Sequence, residues 1–329
     1  MRAESLAERL ARLPRQRLGH FPTPLEPLPR LSALWRGPEL WVKRDDQTGL
    51  AGGGNKVRKL EFLVADALQQ RADTLVTGGA VQSNHVRQTA AAAARLGLRC
   101  HLVLKGQPPA APQGNLLLDQ LLGAELHWTQ QALPEALAAI TQELQAQGCR
   151  PYLIPYGGSN ALGVCGYAAA WLELETQCAA LGWHFDAVVV ASSSGGTQAG
   201  LALGALACGY RGRLIGISVA ERRETLDATL SALATAAQRL LELPAELPGF
   251  EIDDRWLGAG YGLPAPEELE TLRQVARSEG LLLDPVYTGR AFTGLRGLIT
   301  RGELRAGQRV LFWHTGGLPA LFAYAEQLL

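Results

Sequence analysis

The chain has 329 residues, 47% of them hydrophobic, and its 31 basic and 31 acidic residues give a formal net charge of zero. This length and composition allow either two compact lobes or one large α/β domain with a sizeable core. The balanced charge argues against nucleic acid or an anionic membrane as a partner and fits small neutral or zwitterionic ligands.

The sequence shows no sign of export, disulfides or metal binding. Its five cysteines are odd in number and form no CxxC pair, which favours a reducing compartment over a disulfide framework or a zinc site. Residues 1–30 carry charges throughout, and no stretch approaches the roughly 18 apolar residues of a membrane span. The six histidines lack HExxH or another tight spacing. We expect a soluble cytoplasmic protein without a metal.

Short runs rich in β-branched residues alternate with helical patterns along the chain. The predicted strands, each expected to be buried on both faces, are Leu40–Val42, Thr74–Thr77, Cys100–Leu104, Pro151–Ile154, Ala187–Ala191, Leu214–Val219 and Arg309–Trp313. The predicted helices between them are Lys59–Gln70, Val86–Leu96, Pro134–Gln147 and Thr197–Cys208. This order predicts an α/β protein with open parallel sheets covered by helices.

The first unusual segment follows the first predicted strand. Only four of the 31 basic residues are lysines, and three of them, Lys43, Lys56 and Lys59, lie within residues 41–61. A lysine amine can form a Schiff base, whereas an arginine guanidinium stays protonated and cannot. Codon bias and chance clustering explain the scarcity alone, so the surroundings of these lysines decide their meaning.

Those surroundings are a glycine loop, 52–54, that leads into a helix with Asn55 as the predicted N-cap. The apolar stripe of this helix comprises Val57, Leu60, Val64 and Ala67. The helix opens with three cations, Lys56, Arg58 and Lys59, although helix N-termini favour acidic residues, and such violations tend to mark functional sites. Lys56 and Lys59 share one helix face, so each charge should lower the pKa of the other amine. The alternative is a solvated basic turn.

Two further turns connect strands to helices. In the turn 78–85, GGAVQSNH, Ser83 or Asn84 could simply be a helix N-cap, so this turn alone is weak evidence for a site. The segment 192–200, SSSGGTQAG, brings hydroxyls, backbone amides and a helix N-terminus together, which favours phosphate binding. It lacks the lysine of a Walker loop, and its glycines are out of register with a GxGxxG dinucleotide motif.

Other catalytic patterns are missing or weak. The sequence has no GxSxG elbow, and the proximity of Ser83 and His85 does not indicate a hydrolase triad. Tyr261 and Tyr287 lie in turn-like surroundings, GYGLP and DPVYTG, where packing is the default role of a tyrosine.

Taken in order, six segments closely resemble the family of 1-aminocyclopropane-1-carboxylate deaminases and D-cysteine desulfhydrases. They are GGGNKVRKLEF, GGAVQSNHVRQTAA, SSSGGTQAG, GYGLP, LLDPVYTGRA and HTGGLPALFAY, and the resemblance runs from about Phe21 to Tyr324. This family belongs to the tryptophan-synthase-like, fold type II enzymes that use pyridoxal 5'-phosphate. The resemblance implies two α/β/α lobes with open, mostly parallel sheets. The larger lobe would comprise residues 1–55 and 163–329 and the smaller one residues 56–162, in a homodimer.

The resemblance also implies roles for individual residues. Lys56 is similar to the lysine that forms a Schiff base with the cofactor, and Lys59 to a lysine involved in proton handling. Catalytic and substrate-binding positions would be Lys56, Lys59, Gln82, Ser83, Asn84, Tyr261 and Tyr287. Cofactor-binding positions would be Lys56, Asn84, Ser193, Ser194, Gly195, Gly196, Thr197, Thr288 and Thr315.

The reaction within the family depends on the groups near the pyridine nitrogen. Deaminases of the family place a Glu after the tyrosine of DPVY and a Leu after the histidine of HLGG, whereas this chain has Thr288 and Thr315. Neutral hydroxyls can hydrogen-bond an unprotonated ring nitrogen but supply no carboxylate to stabilise a protonated one. D-cysteine desulfhydrases carry this threonine pair. The resemblance therefore implies α,β-elimination of D-cysteine to pyruvate, hydrogen sulfide and ammonia.

Several alternatives remain. L-cysteate sulfo-lyases share most of these motifs, and ring opening of 1-aminocyclopropane-1-carboxylate is the other activity of the family. Outside the family, the βαβ order alone permits a nucleotide-binding oxidoreductase, and a non-catalytic amino-acid-binding protein is a third possibility.

Overall fold

The computed structural model describes residues 4–243 and 249–328. Its strands are β1 (Leu25–Pro27), β2 (Glu39–Arg44), β3 (Thr74–Ala80), β4 (Arg99–Lys105), β5 (Glu125–Thr129), β6 (Pro151–Leu153), β7 (Ala187–Ser192), β8 (Arg213–Ser218), β9 (Glu251–Asp253) and β10 (Arg309–His314). Its helices are α1 (Leu6–Ala11), α2 (Pro29–Trp35), α3 (Lys56–Gln69), α4 (Asn84–Leu96), α5 (Gly114–Leu121), α6 (Leu133–Ala146), α7 (Ala161–Leu181), α8 (Gly196–Ala207), α9 (Arg223–Leu240), α10 (Pro266–Glu279), α11 (Thr288–Thr300), α12 (Leu318–Leu321) and α13 (Ala325–Leu328).

These strands form two separate sheets. The larger sheet has the order β1-β2-β10-β7-β8-β9, and its strands are parallel except for β1, which pairs antiparallel with β2. The smaller sheet has the order β5-β4-β3-β6 and is wholly parallel. It comes entirely from residues 74–153. The lobe boundaries at residues 55/56 and 162/163 stay a prediction.

Both faces of the larger sheet are covered because most positions in its central strands are apolar and buried. Val189 on β7 packs with Phe292 of α11 on one face. Val188, the next residue along β7, packs with Trp171 of α7 and Leu201 of α8 on the other face. Alternating side chains of one strand therefore enter two cores, which produces three layers.

The smaller sheet is built in the same way. Leu75 of β3 packs with Leu60 of α3 and Val86 of α4, while the adjacent Val76 packs with Leu137 of α6. The predicted α/β class with open, mostly parallel sheets is confirmed. No helix in the described parts of the chain is both long and apolar enough to cross a bilayer.

All seven predicted strands and all four predicted helices are present, with ends that shift by a few residues. The prediction of burial on both faces is wrong for β6, because β6 is an edge strand and Leu153 is 43% exposed. The strands β1, β5 and β9 were not predicted. Each is short or lies at or next to a sheet edge, where a polar, irregular sequence replaces the apolar run.

A buried group of charged residues fixes the start of α3 against the larger sheet. Asp45, which directly follows β2, is fully buried. Its carboxylate accepts hydrogen bonds from Arg58 Nε and Nη2 at 2.8 Å each, from the Tyr167 hydroxyl at 2.6 Å and from Trp313 Nε1 at 2.8 Å. Burial alone would raise the pKa of Asp45, but the Arg58 guanidinium lowers it to about 2. The carboxylate is therefore charged at neutral pH.

A second carboxylate completes the balance of charge. Glu173 of α7 accepts from Arg58 Nη1 at 3.0 Å and from Nη2 at 2.9 Å, and it also pairs with the amine of Lys43. Two cations thus face two anions in the interior. Such a group is stable only while every member keeps its partner.

We predict that Asp45→Asn lowers the free energy of unfolding by about 3–5 kcal/mol, because it leaves the Arg58 guanidinium buried beside a neutral amide. Denaturant unfolding of both proteins under the same conditions measures this difference. Glu26→Gln is the matched control, since Glu26 pairs with Arg44 at 2.7 Å but is 44% exposed. It should cost less than about 1 kcal/mol. Equal losses in the two variants would contradict this account of the network.

Candidate active site

A cavity lies where the carboxyl ends of β3, β7 and β10 approach the start of α3, and these strands come from both sheets. Its lining residues are Asn55, Lys56, Ser83, Asn84, His85, Tyr156, Gly157, Ala191, Ser192, Ser193, Ser194, Gly195, Thr197, Tyr287 and Thr315. Carboxyl ends of parallel strands are the usual place for ligand sites in α/β proteins. Nine predicted site residues meet here, namely Lys56, Ser83, Asn84, Ser193, Ser194, Gly195, Thr197, Tyr287 and Thr315.

Lys56 places a primary amine in this cavity. Lys56 is the first residue of α3, and burial lowers its pKa to about 8. Its amine has no hydrogen-bond partner among the described residues. A substantial neutral fraction near physiological pH makes it a competent nucleophile. The cause differs from the prediction, because burial rather than the charge of Lys59 lowers this pKa.

The rest of the helix start also differs from expectation. The alternative of a solvated basic turn is wrong, since Arg58 is 2% exposed and Lys59 is fully buried. Asn55 does not cap α3 with its side chain. Its backbone is already helical, and its amide donates to Thr197 Oγ1 at 3.0 Å instead. Asn55 therefore ties the start of α3 to the start of α8.

Lys59 lies behind the cavity, beneath the start of α8. Its amine donates to the Gly157 carbonyl at 3.1 Å and to Ser159 Oγ at 3.2 Å. Burial, and then the charge of Lys56, hold the pKa of Lys59 well below its ordinary value. A Cβ at Gly196 would lie 2.8 Å from the Lys59 amine and 2.7 Å from Ser159 Oγ, so only glycine fits there without a shift. The structure places neither Lys59 nor Gly196 among the lining residues.

The loop between β7 and α8 forms a cradle of free donors. Gly195 has a φ of +78°, which turns the chain so that α8 begins at Gly196. Within the described residues, the backbone N–H groups of Ser194, Gly195 and Thr197 have no acceptor. The buried Ser192 hydroxyl also has no partner. Donors that converge at a helix N-terminus constitute an anion site.

The turn after β3 supplies a second polar wall. Ser83 caps α4 by accepting from Val86 N at 3.3 Å, and it also lines the cavity, so capping does not exclude the site role, which stays a prediction. Asn84 Oδ1 accepts from Asn115 Nδ2 at 2.9 Å. Because its oxygen is occupied, Asn84 presents its amide N–H₂ as a donor. Gln82 does not line the cavity, since its side chain bonds to the backbone of Gln113 and Asn115.

His85 is a lining residue that was not predicted. Thr77 Oγ1 donates its proton to the Ile154 carbonyl, so it must accept from His85 Nε2 at 2.9 Å. This assigns the proton to Nε2 and leaves Nδ1 as a buried lone pair without a partner. Burial, and then the charges of the two nearby lysines, hold the pKa of His85 well below its ordinary value. The ring is neutral at neutral pH.

Two tyrosines stand at the opposite side of the cavity. Tyr287 lines it, and Tyr261 lies outside the lining but hydrogen-bonds the Tyr287 hydroxyl through its own. Burial raises the pKa of both phenols, so both keep their protons at neutral pH. One of the two protons is used within the pair, and the other remains available to a ligand.

The two threonines are placed differently. Thr315 lines the cavity, whereas Thr288 is fully buried and does not. The Thr288 hydroxyl donates to Asp284 Oδ1 at 2.7 Å and accepts from Asp284 N at 2.9 Å. In this arrangement its single proton cannot be donated to a ring nitrogen. The expected pairing of Thr288 with Thr315 at one ligand atom is therefore not what the structure shows.

Arg87 and Asn115 organise the site without lining it, and neither was predicted. Asn115 Nδ2 donates to the Gln82 carbonyl and to Asn84 Oδ1, each at 2.9 Å, and its Oδ1 accepts from Arg87 Nε at 3.0 Å. Arg87 Nη1 in turn donates to the carbonyls of Ala51 and Gly53, in the loop before Lys56. The signal in the sequence is an arginine about one helical turn before the run of buried alanines at residues 90–93 of α4.

Comparison with known proteins places this geometry in context. The model of the family described as pyridoxal-phosphate-dependent enzymes matches residues 16–316. Two D-cysteine desulfhydrases of Klebsiella pneumoniae, from strain 342 and from subspecies pneumoniae, are 46% and 47% identical to the chain over 328 residues, which are 98% of this chain and 99% of each relative.

Two solved structures share this fold. A structure described as an ACC deaminase homologue superposes with a TM-score of 0.92 at 40% identity, covering 99% of both chains. The processed form of threonine deaminase isoform 2 from Solanum lycopersicum shares the fold with a TM-score of 0.67 at 15% identity, covering 93% of this chain and 82% of its own. The predicted fold type is confirmed.

The residues of the cavity fit pyridoxal phosphate. The free Lys56 amine suits its aldehyde, and the cradle 193–197 offers unpaired N–H groups and hydroxyls to its phosphate. The orphaned Ser192 hydroxyl and His85 Nδ1 are buried polar atoms that a polar ligand would satisfy. The donor set therefore matches both ends of the cofactor.

We predict that Thr197→Ala weakens pyridoxal phosphate binding roughly ten- to hundredfold, because one hydrogen bond to a charged group contributes about 1.5–3 kcal/mol. Thr197 Oγ1 accepts from Asn55, so its own proton is free for the phosphate. Equilibrium titration with the cofactor measures the change. Thr176→Ala is the control, since the exposed Thr176 hydroxyl donates to a carbonyl of its own helix. Unchanged affinity in Thr197→Ala would make the segment 192–200 an ordinary turn.

Proposed function

Because the chain belongs to the family of pyridoxal-phosphate-dependent enzymes, we propose that it is a carbon–sulfur lyase acting on D-cysteine. With one water molecule, D-cysteine would give pyruvate, hydrogen sulfide and ammonia. The observation that carries this proposal is the half-buried, unpartnered Lys56 amine beside an anion cradle, in a chain nearly half identical to D-cysteine desulfhydrases over its whole length.

Lys56 and the cradle would hold the cofactor. Lys56 Nζ would bond to its aldehyde carbon, and the free N–H groups of Ser194, Gly195 and Thr197 would bind its phosphate at the start of α8. Lys59, beneath the same helix start, would contribute to the electrostatics of that end of the site. When bound, pyridoxal phosphate supplies an electron-withdrawing ring that stabilises negative charge at the substrate Cα.

The remaining residues would orient the substrate and move protons. Ser83 and the Asn84 amide donate to the substrate carboxylate, and Asn115 fixes which way Asn84 points. Lys56 Nζ would take the proton from the substrate Cα, a role for which a pKa of about 8 is suited. The hydroxyl of Tyr287, which lines the cavity and contacts Tyr261, would donate a proton to the leaving sulfur.

The absence of an acid in the described lining favours elimination over ring opening. No Asp or Glu is among the lining residues. The carboxylate of Asp284 lies nearby, but it accepts from the backbone of Val286, Tyr287 and Thr288 and from the Thr288 hydroxyl. These hydrogen bonds hold the Asp284 carboxylate within the turn of residues 284–288, and it does not line the cavity. Breaking a carbon–carbon bond needs a stronger electron sink than expelling a thiolate does, and a carboxylate at the ring nitrogen would provide it.

Two coarser properties belong to the same proposal. The described cysteines are all free, which is compatible with the cytoplasm. The likeness to the family supports a homodimer with lobes 1–55 plus 163–329 and 56–162. Size-exclusion chromatography with light scattering tests the dimer.

The test is a product assay with D-cysteine, L-cysteine, L-cysteate and 1-aminocyclopropane-1-carboxylate as substrates. The release of sulfide from D-cysteine should be the fastest of the four reactions. We predict that Lys56→Arg, which keeps the charge but cannot form the Schiff base, abolishes sulfide release. Lys105→Arg, at an exposed position ending β4, is the matched control and should keep wild-type rates. Efficient ring opening by wild type, or a much higher kcat/KM for sulfite from L-cysteate than for sulfide from D-cysteine, would replace the proposal with that activity.

A further inference from the structure

A second group of potential ligands lies on the smaller sheet, apart from the cavity. His101 belongs to β4, and Glu125 and His127 belong to the neighbouring strand β5. The parallel register pairs His101 with Glu125 and Val103 with His127. Because side chains alternate along a strand, all three lie on the same face of the sheet as Val103, which packs with α6. The fold thus joins residues that are 24 and 26 positions apart in the chain.

The three side chains are close enough to share one ion. His101 Nδ1 lies 3.0 Å from His127 Nε2, and His101 Nε2 lies 3.6 Å from Glu125 Oε1. One ligand atom from each residue can be chosen so that all three lie within 4.8 Å of one another. Two nitrogens bound to one tetrahedral zinc at about 2.0–2.1 Å are separated by about 3.3 Å. The 3.0 Å contact between His101 Nδ1 and His127 Nε2 is a hydrogen bond, and zinc would replace its shared proton if the two nitrogens moved apart by about 0.3 Å.

The hydrogen bonding of this group is incomplete. His101 is 4% exposed, and its Nε2 has no hydrogen-bond partner. A buried polar atom without a partner is costly, so such an atom usually indicates a missing ligand or water. Stacking of the two rings, with centroids 5.3 Å apart, holds both imidazoles in place.

The surroundings favour a cation and allow it to enter. The side chain of Glu125 is 65% exposed, so the group opens to solvent at the edge of the sheet. Glu143 of α6 adds a second negative charge near His101, whereas Arg99 opposes it. Two carboxylates thus outweigh one guanidinium around the imidazoles.

We propose that His101, Glu125 and His127 bind a divalent transition-metal ion, with zinc as the best match. Imidazole nitrogen with one carboxylate is a donor set of zinc, whereas calcium and magnesium require oxygen ligands. Three protein ligands leave a fourth position for water. The bound ion would hold the edge strand β5 to β4. The histidine spacing in the sequence gave no indication of this site, because the ligands meet only through strand pairing.

Calorimetric titration of the holoenzyme with zinc, after treatment with a chelator and without cysteine substrates, tests the proposal. Wild type should bind one ion at this site, and His127→Gln should bind it at least tenfold more weakly. Glu125→Gln should fall between the two. His184→Gln is the matched control, since the exposed His184 lies 3.6 Å from Glu175 without a second histidine. All variants are made in a Cys208→Ser background, because Cys208 is an exposed thiol.

Thermal unfolding supplies a second readout. Zinc should raise the Tm of wild type and of His184→Gln but not that of His127→Gln, and magnesium should raise none of them. Failure of wild type to bind zinc would overturn the proposal. Equal affinity in wild type and His127→Gln would also overturn it, and so would a magnesium effect as large as that of zinc.

Discussion

The carboxylates of Asp45 and Glu173 divide the three cations at the start of α3 into two kinds. Arg58 meets both carboxylates in the interior and remains a permanent charge, which anchors the helix to the larger sheet. Lys56 and Lys59, on the other side of the same turn, have no carboxylate partner, and burial lowers the pKa of each. Three cations at a helix N-terminus oppose the helix dipole. Here one of them, Arg58, fixes the helix to the sheet, and the other two, Lys56 and Lys59, become weakly basic amines.

The site depends on segments that are distant in sequence but close at the strand ends. The start of α3 is tied to α8 by the bond from Asn55 to Thr197, and to α4 by the bonds from Arg87 to the glycine loop. Asn115 extends this network to the polar wall at Asn84. Lys56, the cradle of free donors and the polar wall at Ser83 and Asn84 therefore belong to one hydrogen-bonded unit across the two sheets.

The sequence predicts the parts of this protein that rest on local pattern. Continuous apolar runs predict the central strands, and the glycine loops before α3 and α8 predict two halves of the site. Edge strands such as β1 and β9 lack that pattern. The roles of Asn115, His85 and the Thr288 hydroxyl depend on which acceptor each finds across the fold. No local rule encodes such a partner. The structure shows that the proton of Thr288 goes to Asp284 rather than into the cavity, which the sequence alone could not predict.

The central claim is that its position in the cavity, without a hydrogen-bond partner, makes Lys56 rather than Lys59 the amine that holds the cofactor. Borohydride reduction of the holoenzyme, followed by proteolysis and mass spectrometry, identifies the modified lysine directly. This account predicts a pyridoxyl group on Lys56, since Lys59 is bonded to Gly157 and Ser159 behind the cavity. A pyridoxyl group on Lys59 would contradict it.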